Sequence, residues 1–143
     1  MNKTTRLSEL IVEVIDRVQS LSSTDLHNKK SDTAWSKKEI LGHLVDSAQA
    51  NLRRFNEVQY SSAPYIIEKY DQNKLVLTND YQSKDLQELI HLFKALNLQI
   101  DFLFRNRLNS FKECKISIDE KEFSCHFLMV DYMDHLQHHL NQL

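Results

Sequence analysis

Residues 131–143 read "DYMDHLQHHLNQL", with three histidines inside five positions. Imidazole is a common side-chain ligand for divalent metals, and two imidazoles at i, i+4 on a helix can reach a single ion about 2 Å from each nitrogen. On an ideal helix turning about 100° per residue, His139 falls about 40° from His135, on the same side as Leu128 and Tyr132. Both lie on the shoulder of an apolar face formed by Met133, Leu136 and Leu140, whereas His138 turns toward solvent. The pair His135 and His139 is therefore the part suited to chelation.

A third ligand has to come from elsewhere, and His43 is the leading candidate. It stands in "EILGHLVD", beside the core position Leu44 and three residues after Ile40, so it should face inward. Gly42 precedes it at a cost of about 1 kcal/mol relative to alanine in a helix. Close approach of another helix or of a ligand would explain that glycine, and so would a neutral accident. His43 and the C-terminal pair can share an ion only if their helices run antiparallel, with the site near one end of the bundle. The carbonyl-rich terminus of the last helix favours a cation there by a few tenths of a kcal/mol.

Three neutral imidazoles leave a fourth coordination position open, as in catalytic rather than structural zinc sites. An ion so held brings a water toward a pKa near 7, polarises a carbonyl, or takes a thiol as thiolate. Asp46 and Asp131 each stand about one helical turn from a candidate ligand. They are candidates for fixing an imidazole tautomer, or are solvated helix-face carboxylates. The plainer readings of the histidines are hydrogen-bonded interface residues or a surface stretch that binds metal incidentally. Cys114 and Cys125 form a C-x10-C…H-x3-H pattern with His135 and His139. That first gap is too long for a zinc knuckle, so the two read as free thiols.

The elements that must carry these residues are helical. A chain of 143 residues with one glycine and one proline lacks the turn residues of β or βα folds and fits a few long helices in one domain spanning 1–143. The apolar positions Leu7, Leu10, Ile11, Val14, Val18 and Leu21 predict a first helix over about 5–22. In "TAWSKKEIL", Ser36 and Glu39 have capping-box spacing, with Trp35 and Ile40 placed as a hydrophobic staple. The second helix should run from there to about Val58 or Gln59. Residues 60–82 read as a long crossover, whose tyrosines Tyr65, Tyr70 and Tyr81 either pin it to the core or touch a ligand. Ser83 is a reasonable cap for a third helix with the seam Leu86, Leu89, Phe93, Leu96, Ile100 and Leu103, and His91 lies off that seam. Residues 111–124 form a small hairpin or an irregular excursion, after which Ser124 can cap the last helix. The economical architecture is an all-α four-helix bundle with one long crossover connection.

A net charge of −2, with lysine and arginine scattered, lacks the basic footprint of a nucleic-acid binder. No apolar segment follows a basic start, and no stretch approaches the roughly 20 apolar residues of a membrane span, so no membrane role is expected and the expected location is the cytoplasm.

The segments "WSKKEILGHLVDS" and "DHLQHHLNQL" resemble the W-x-x-x-E-I-L-x-H-L-x-D and H-x-x-H-H-x-x-Q-[IL] motifs of the DinB-like superfamily, which also contains YfiT-type metal-dependent hydrolases. The resemblance covers essentially the whole chain. It implies a DinB/YfiT-like four-helix bundle holding one divalent metal ion, zinc or nickel, through His43, His135 and His139, with His138 at an extra histidine position that is not usually a ligand. Members are often dimers, which implies a homodimer. The family also includes S-transferases that use a low-molecular-weight thiol. The expected function is that of a metal-dependent hydrolase or thiol S-transferase acting on a small-molecule substrate. The alternatives are a non-catalytic metal- or ligand-binding protein of the same fold and a plain helical interaction module.

Overall fold

The computed structural model describes residues 3–143, and the four apolar stripes become its four long helices. The first, α1 (Lys3–Ser20), buries Leu7, Leu10, Ile11, Val14 and Val18. It stops short of the expected end, and a separate turn, α2 (Ser23–His27), follows with Ser22 accepting from the Asp25 amide. Serine side chains compete with the helix ladder for backbone groups, which is why the run around Ser22 and Ser23 breaks and restarts.

The second long helix, α3 (Lys37–Glu57), begins at the expected capping box: Ser36 Oγ accepts from Glu39 N and a Glu39 carboxylate oxygen accepts from Ser36 N, both at 3.0 Å. Ile40, Leu44, Ala48 and Phe55 point inward as the sequence predicts.

The crossover is more ordered than a long connection. It contains β1 (Tyr65–Ile66), α4 (Gln72–Asn79) and a 3-10 turn over Tyr81–Ser83. Asp71 caps α4 by accepting from Lys74 N, and Asp80 ends it with φ at 48°. Within α4 only Val76 is buried, so there is no apolar stripe by which the helix could be recognised in the sequence. Ser83 falls inside the 3-10 turn, and Asp85, not Ser83, caps the third long helix, α5 (Leu86–Asn106). Its seam is buried at Leu89, Phe93, Ile100 and Leu103, and His91 is exposed.

A short α6 (Leu108–Lys112) leads into a hairpin of β2 (Lys115–Ile118) and β3 (Lys121–Ser124). Ile118 pairs with Lys121, and the two turn residues between them, Asp119 and Glu120, take φ of 50° and 67°, the left-handed pair a two-residue hairpin turn requires. β1 adds to β2 in parallel, Tyr65 opposite Ile116, and so fastens the crossover to the hairpin. Ser124 then caps the last long helix, α7 (Cys125–Leu140), accepting from Phe127 N at 3.1 Å.

The architecture is thus the all-α bundle, with one three-stranded sheet added at the crossover. α1 packs on α5 and α7, and α3 packs on the same two, so α1 and α3 occupy opposite corners. α3 and α7 are antiparallel: Phe55 meets Tyr132, Ser47 approaches His135, and His43 meets His135 and His139. Among the described residues no helix is long and apolar enough to cross a membrane.

Candidate metal centre

The site is assembled where the first turns of α3 cross the last turns of α7. The capping box fixes where α3 begins, which sets His43 two turns in and on the inward face. Ser124 likewise sets the phase of α7, on which His135 and His139 stand one turn apart. His43 is fully buried, His139 nearly so, and His135 half-buried. His135 Nε2 lies 3.1 Å from Nε2 of His43 and 3.1 Å from Nε2 of His139, and one ligand nitrogen from each residue lies within 4.8 Å of the other two. The structure therefore brings together the three histidines singled out in the sequence and leaves His138 exposed beside them. Neither cysteine joins the cluster, and both are free thiols.

The outer nitrogens indicate which way the rings present their lone pairs. His139 Nδ1 lies 2.7 Å from Gln142 Oε1, an acceptor, so Nδ1 carries the proton and Nε2 is left as a lone pair. Ser47 Oγ stands 3.5 Å from His135 Nδ1, and as an acceptor there it would leave that ring's Nε2 as a lone pair too. His43 Nδ1 is buried without a protein partner, and the ring lies against Trp35 with centroids 4.7 Å apart. Three nitrogens that face one another at hydrogen-bond distance repel unless a proton or a cation lies between them. A divalent ion with a nitrogen-ligand preference fits this donor set.

Electrostatics favour the neutral rings that a metal requires. Desolvation, and then the neighbouring imidazoles, push His43 down to about 3. The same causes bring His135 down to about 4, and burial lowers His139 as well. All three are unprotonated at neutral pH without help from a metal.

Gly42 is explained by the 3-10 turn. A Cβ there would stand 2.1 Å from Cδ2 and 2.3 Å from Cγ of Tyr81, so the buried tyrosine ring sits directly on the helix backbone. The Tyr81 hydroxyl donates to Asp46 at 2.6 Å, and Asn79 donates to the same oxygen at 3.1 Å. Asp46 thus joins α3 to the crossover; among the described residues it makes no hydrogen bond to an imidazole. Burial raises its pKa, and its second oxygen has no protein partner. Asp131 is exposed and lines a cavity bordered by His135, again without a bond to an imidazole. Tyr65 donates to Glu57 at 2.6 Å, and Tyr70 faces the cavity.

The sequence reading missed Trp35 as a wall of the centre, Gln142 as the acceptor for His139, and Ser47. Gln142 and Ser47 had a usable signal, since they lie three residues after His139 and four after His43, on the faces that carry those ligands.

No family model matches the chain, and no curated protein matches its sequence. Among solved structures the chain is similar to YfiT from Bacillus subtilis, described as "a probable metal-dependent hydrolase with an unusual four-helix bundle topology". The two superpose with a TM-score of 0.82 at 20% identity, over 96% of this chain and 79% of YfiT. At that identity the likeness shows a shared, YfiT-like fold.

Proposed function

We propose that the chain is a metal-dependent enzyme, a hydrolase or thiol S-transferase, acting on a small-molecule substrate in the cytoplasm. The observation that carries this reading is the convergence of three imidazoles beside an open cavity, with His135 Nε2 3.1 Å from Nε2 of both His43 and His139 and all three ligand atoms within 4.8 Å of one another. His43, His135 and His139 would hold a divalent ion, zinc or nickel. When bound in a three-nitrogen site with a free position, such an ion supplies Lewis acidity, polarising a carbonyl or making a water or a low-molecular-weight thiol more acidic.

The chain's own residues do the rest. Gln142 and Ser47 hold the His139 and His135 rings in the tautomer that points Nε2 inward. Trp35 covers His43 and keeps bulk water from that side. The cavity beside His135 admits substrate from the other. The one-domain chain is proposed to work as a homodimer.

The deciding experiment uses tag-free protein loaded with zinc or nickel. Close to one equivalent should remain after desalting, and His139→Ala should abolish both this uptake and any turnover of ester substrates or of a thiol with an electrophile. Retention below about 0.2 equivalents by the unmodified protein would end the metal reading, and turnover surviving in His139→Ala would show that the metal is not the catalyst.

A further inference from the structure

The polar stripe on α3 continues past the histidine. His43, Ser47, Asn51 and Arg54 follow one another at spacings of four, four and three, on a single helical face. Asn51 Nδ2 donates to the Ser47 carbonyl at 2.9 Å and reaches Ser47 Oγ at 3.4 Å, and an Arg54 guanidinium N–H donates to Asn51 Oδ1 at 3.4 Å. A line of polar contacts therefore connects the three-imidazole cluster to a guanidinium. It forms one wall of a cavity of about 300 Å³, and Ile67, Tyr70 and Ile118 form an apolar wall on the crossover and hairpin.

Arg54 is the unusual member. It is half-buried, and desolvation works against its charge, yet none of the ion pairs among the described residues includes it. Its bonds go to uncharged acceptors, Asn51 and the Glu68 carbonyl at 2.6 Å, and it lies 5.8 Å over the Tyr70 ring. These contacts orient the guanidinium without neutralising it. Asp131 acts on this cation only through space. A partly desolvated guanidinium that no carboxylate meets in a hydrogen bond remains costly, a cost that an incoming anion in direct contact removes.

The surroundings limit the anion to one charge. Lys69, also on the cavity wall, is already paired with Asp119 at 2.8 Å. Asp131, on the α7 side, places a carboxylate in the same space and disfavours a dianion such as a phosphate monoester. We propose that Arg54 anchors the carboxylate of a small monocarboxylate ligand whose apolar body lies along Ile67, Tyr70 and Ile118 and whose far end faces His135. This deepens the reading given above, on which it rests for the chemistry at His135, by naming the substrate class.

The test uses metal-free protein, so that no ion can bind the probe's carboxylate directly. Phenylacetate and its neutral analogue phenylacetamide are titrated separately and followed by amide chemical shifts. Phenylacetate should bind about tenfold tighter or more, as expected for a charge-assisted bidentate contact, with shifts at Ser47, Tyr70 and Asp131. Arg54→Gln should erase the preference. Asp131→Asn, an exposed position whose side chain makes no hydrogen bond among the described residues, should leave the fold intact and tighten phenylacetate alone. Equal binding of acid and amide, absence of binding by both, or a preference that survives Arg54→Gln would overturn the proposal, as would Asp131→Asn weakening phenylacetate. Zinc titration of the same preparation reads the histidine centre independently. One equivalent taken up without any carboxylate preference would overturn the anchor and leave the metal reading standing, and the converse would do the opposite.

Discussion

Along the α3–α7 contact, Phe55 meets Tyr132 with ring centroids 6.0 Å apart, and Phe104 and Phe111 close around Phe55 at 4.9 and 6.0 Å. Farther along the same contact, His43, His135 and His139 meet at 5.0, 4.7 and 4.5 Å. Both clusters use edge-to-face rings and are built on the same antiparallel pair, α3 and α7, with Phe104 of α5 and Phe111 of α6 added to the first. In the first, carbon edges meet π faces, and the one polar group, the Tyr132 hydroxyl, is paired by donating to Asn97. In the second, nitrogen lone pairs meet one another and the His43 Nδ1 has no protein partner. The aromatic half stabilises the fold as it stands, whereas the imidazole half costs stability until a cation occupies it.

The largest expected effect falls on the aromatic half. Phe55→Ala should lower unfolding stability by about 3–5 kcal/mol in urea titrations, because a fully buried ring packed on three others leaves a void. Metal uptake by the folded fraction should be unchanged. If it fell in parallel, the two halves would be one cooperative unit.

The next effect belongs to the imidazole half and concerns pH. The pKa values of His43 and His135 in the fold, about 3 and about 4, lie below the ordinary value of 6.5, so the unfolded chain takes up protons first as pH falls. Stability of the metal-free protein should therefore be complete above about pH 6.5 and be lost progressively toward pH 4. Buried His43 alone contributes up to about 1.4 kcal/mol per pH unit across that window. Denaturant midpoints at pH 7 and pH 5 measure this, and metal should oppose the loss at pH values where it stays bound. A metal-free midpoint that is flat over this range would mean that the rings are not held neutral.

The smallest effect probes the side of α3 that meets the crossover. Gly42→Ala gains about 1 kcal/mol of helix propensity but drives a methyl group into the Tyr81 ring, and overpacking of this kind costs about 1–3 kcal/mol. The net outcome should be a loss of about 1 kcal/mol or somewhat more in thermal or urea unfolding. A stabilised variant would show that Tyr81 can move away freely and that the crossover is not pinned there.

Much of this was legible in the chain because it is local. The Ser36–Glu39 capping box, the Ser124 cap and the seam from Leu86 to Leu103 are set by spacings within a few turns, and the structure places them where those spacings predict. The start of α5 was misplaced by two residues because Ser83 and Asp85 are both competent caps, and packing of the preceding 3-10 turn selected the second. The helix over Gln72–Asn79 was invisible because seven of its eight residues have no buried partner face to write a period into the sequence. Asp46 sits one turn from His43, yet the crossover, arriving from more than thirty residues away, claims its carboxylate.

The amino-acid sequence by itself determined the four apolar stripes, their start signals and the i, i+4 pair of imidazoles, since each is a periodicity that a single helix expresses regardless of its neighbours. Only the tertiary structure decided that His43 meets that pair, that Tyr81 rests on Gly42, and that Arg54 faces a cavity closed by the crossover and the hairpin. Those are distances between residues far apart along the chain. They follow from how helices and strands pack, and no local pattern encodes them.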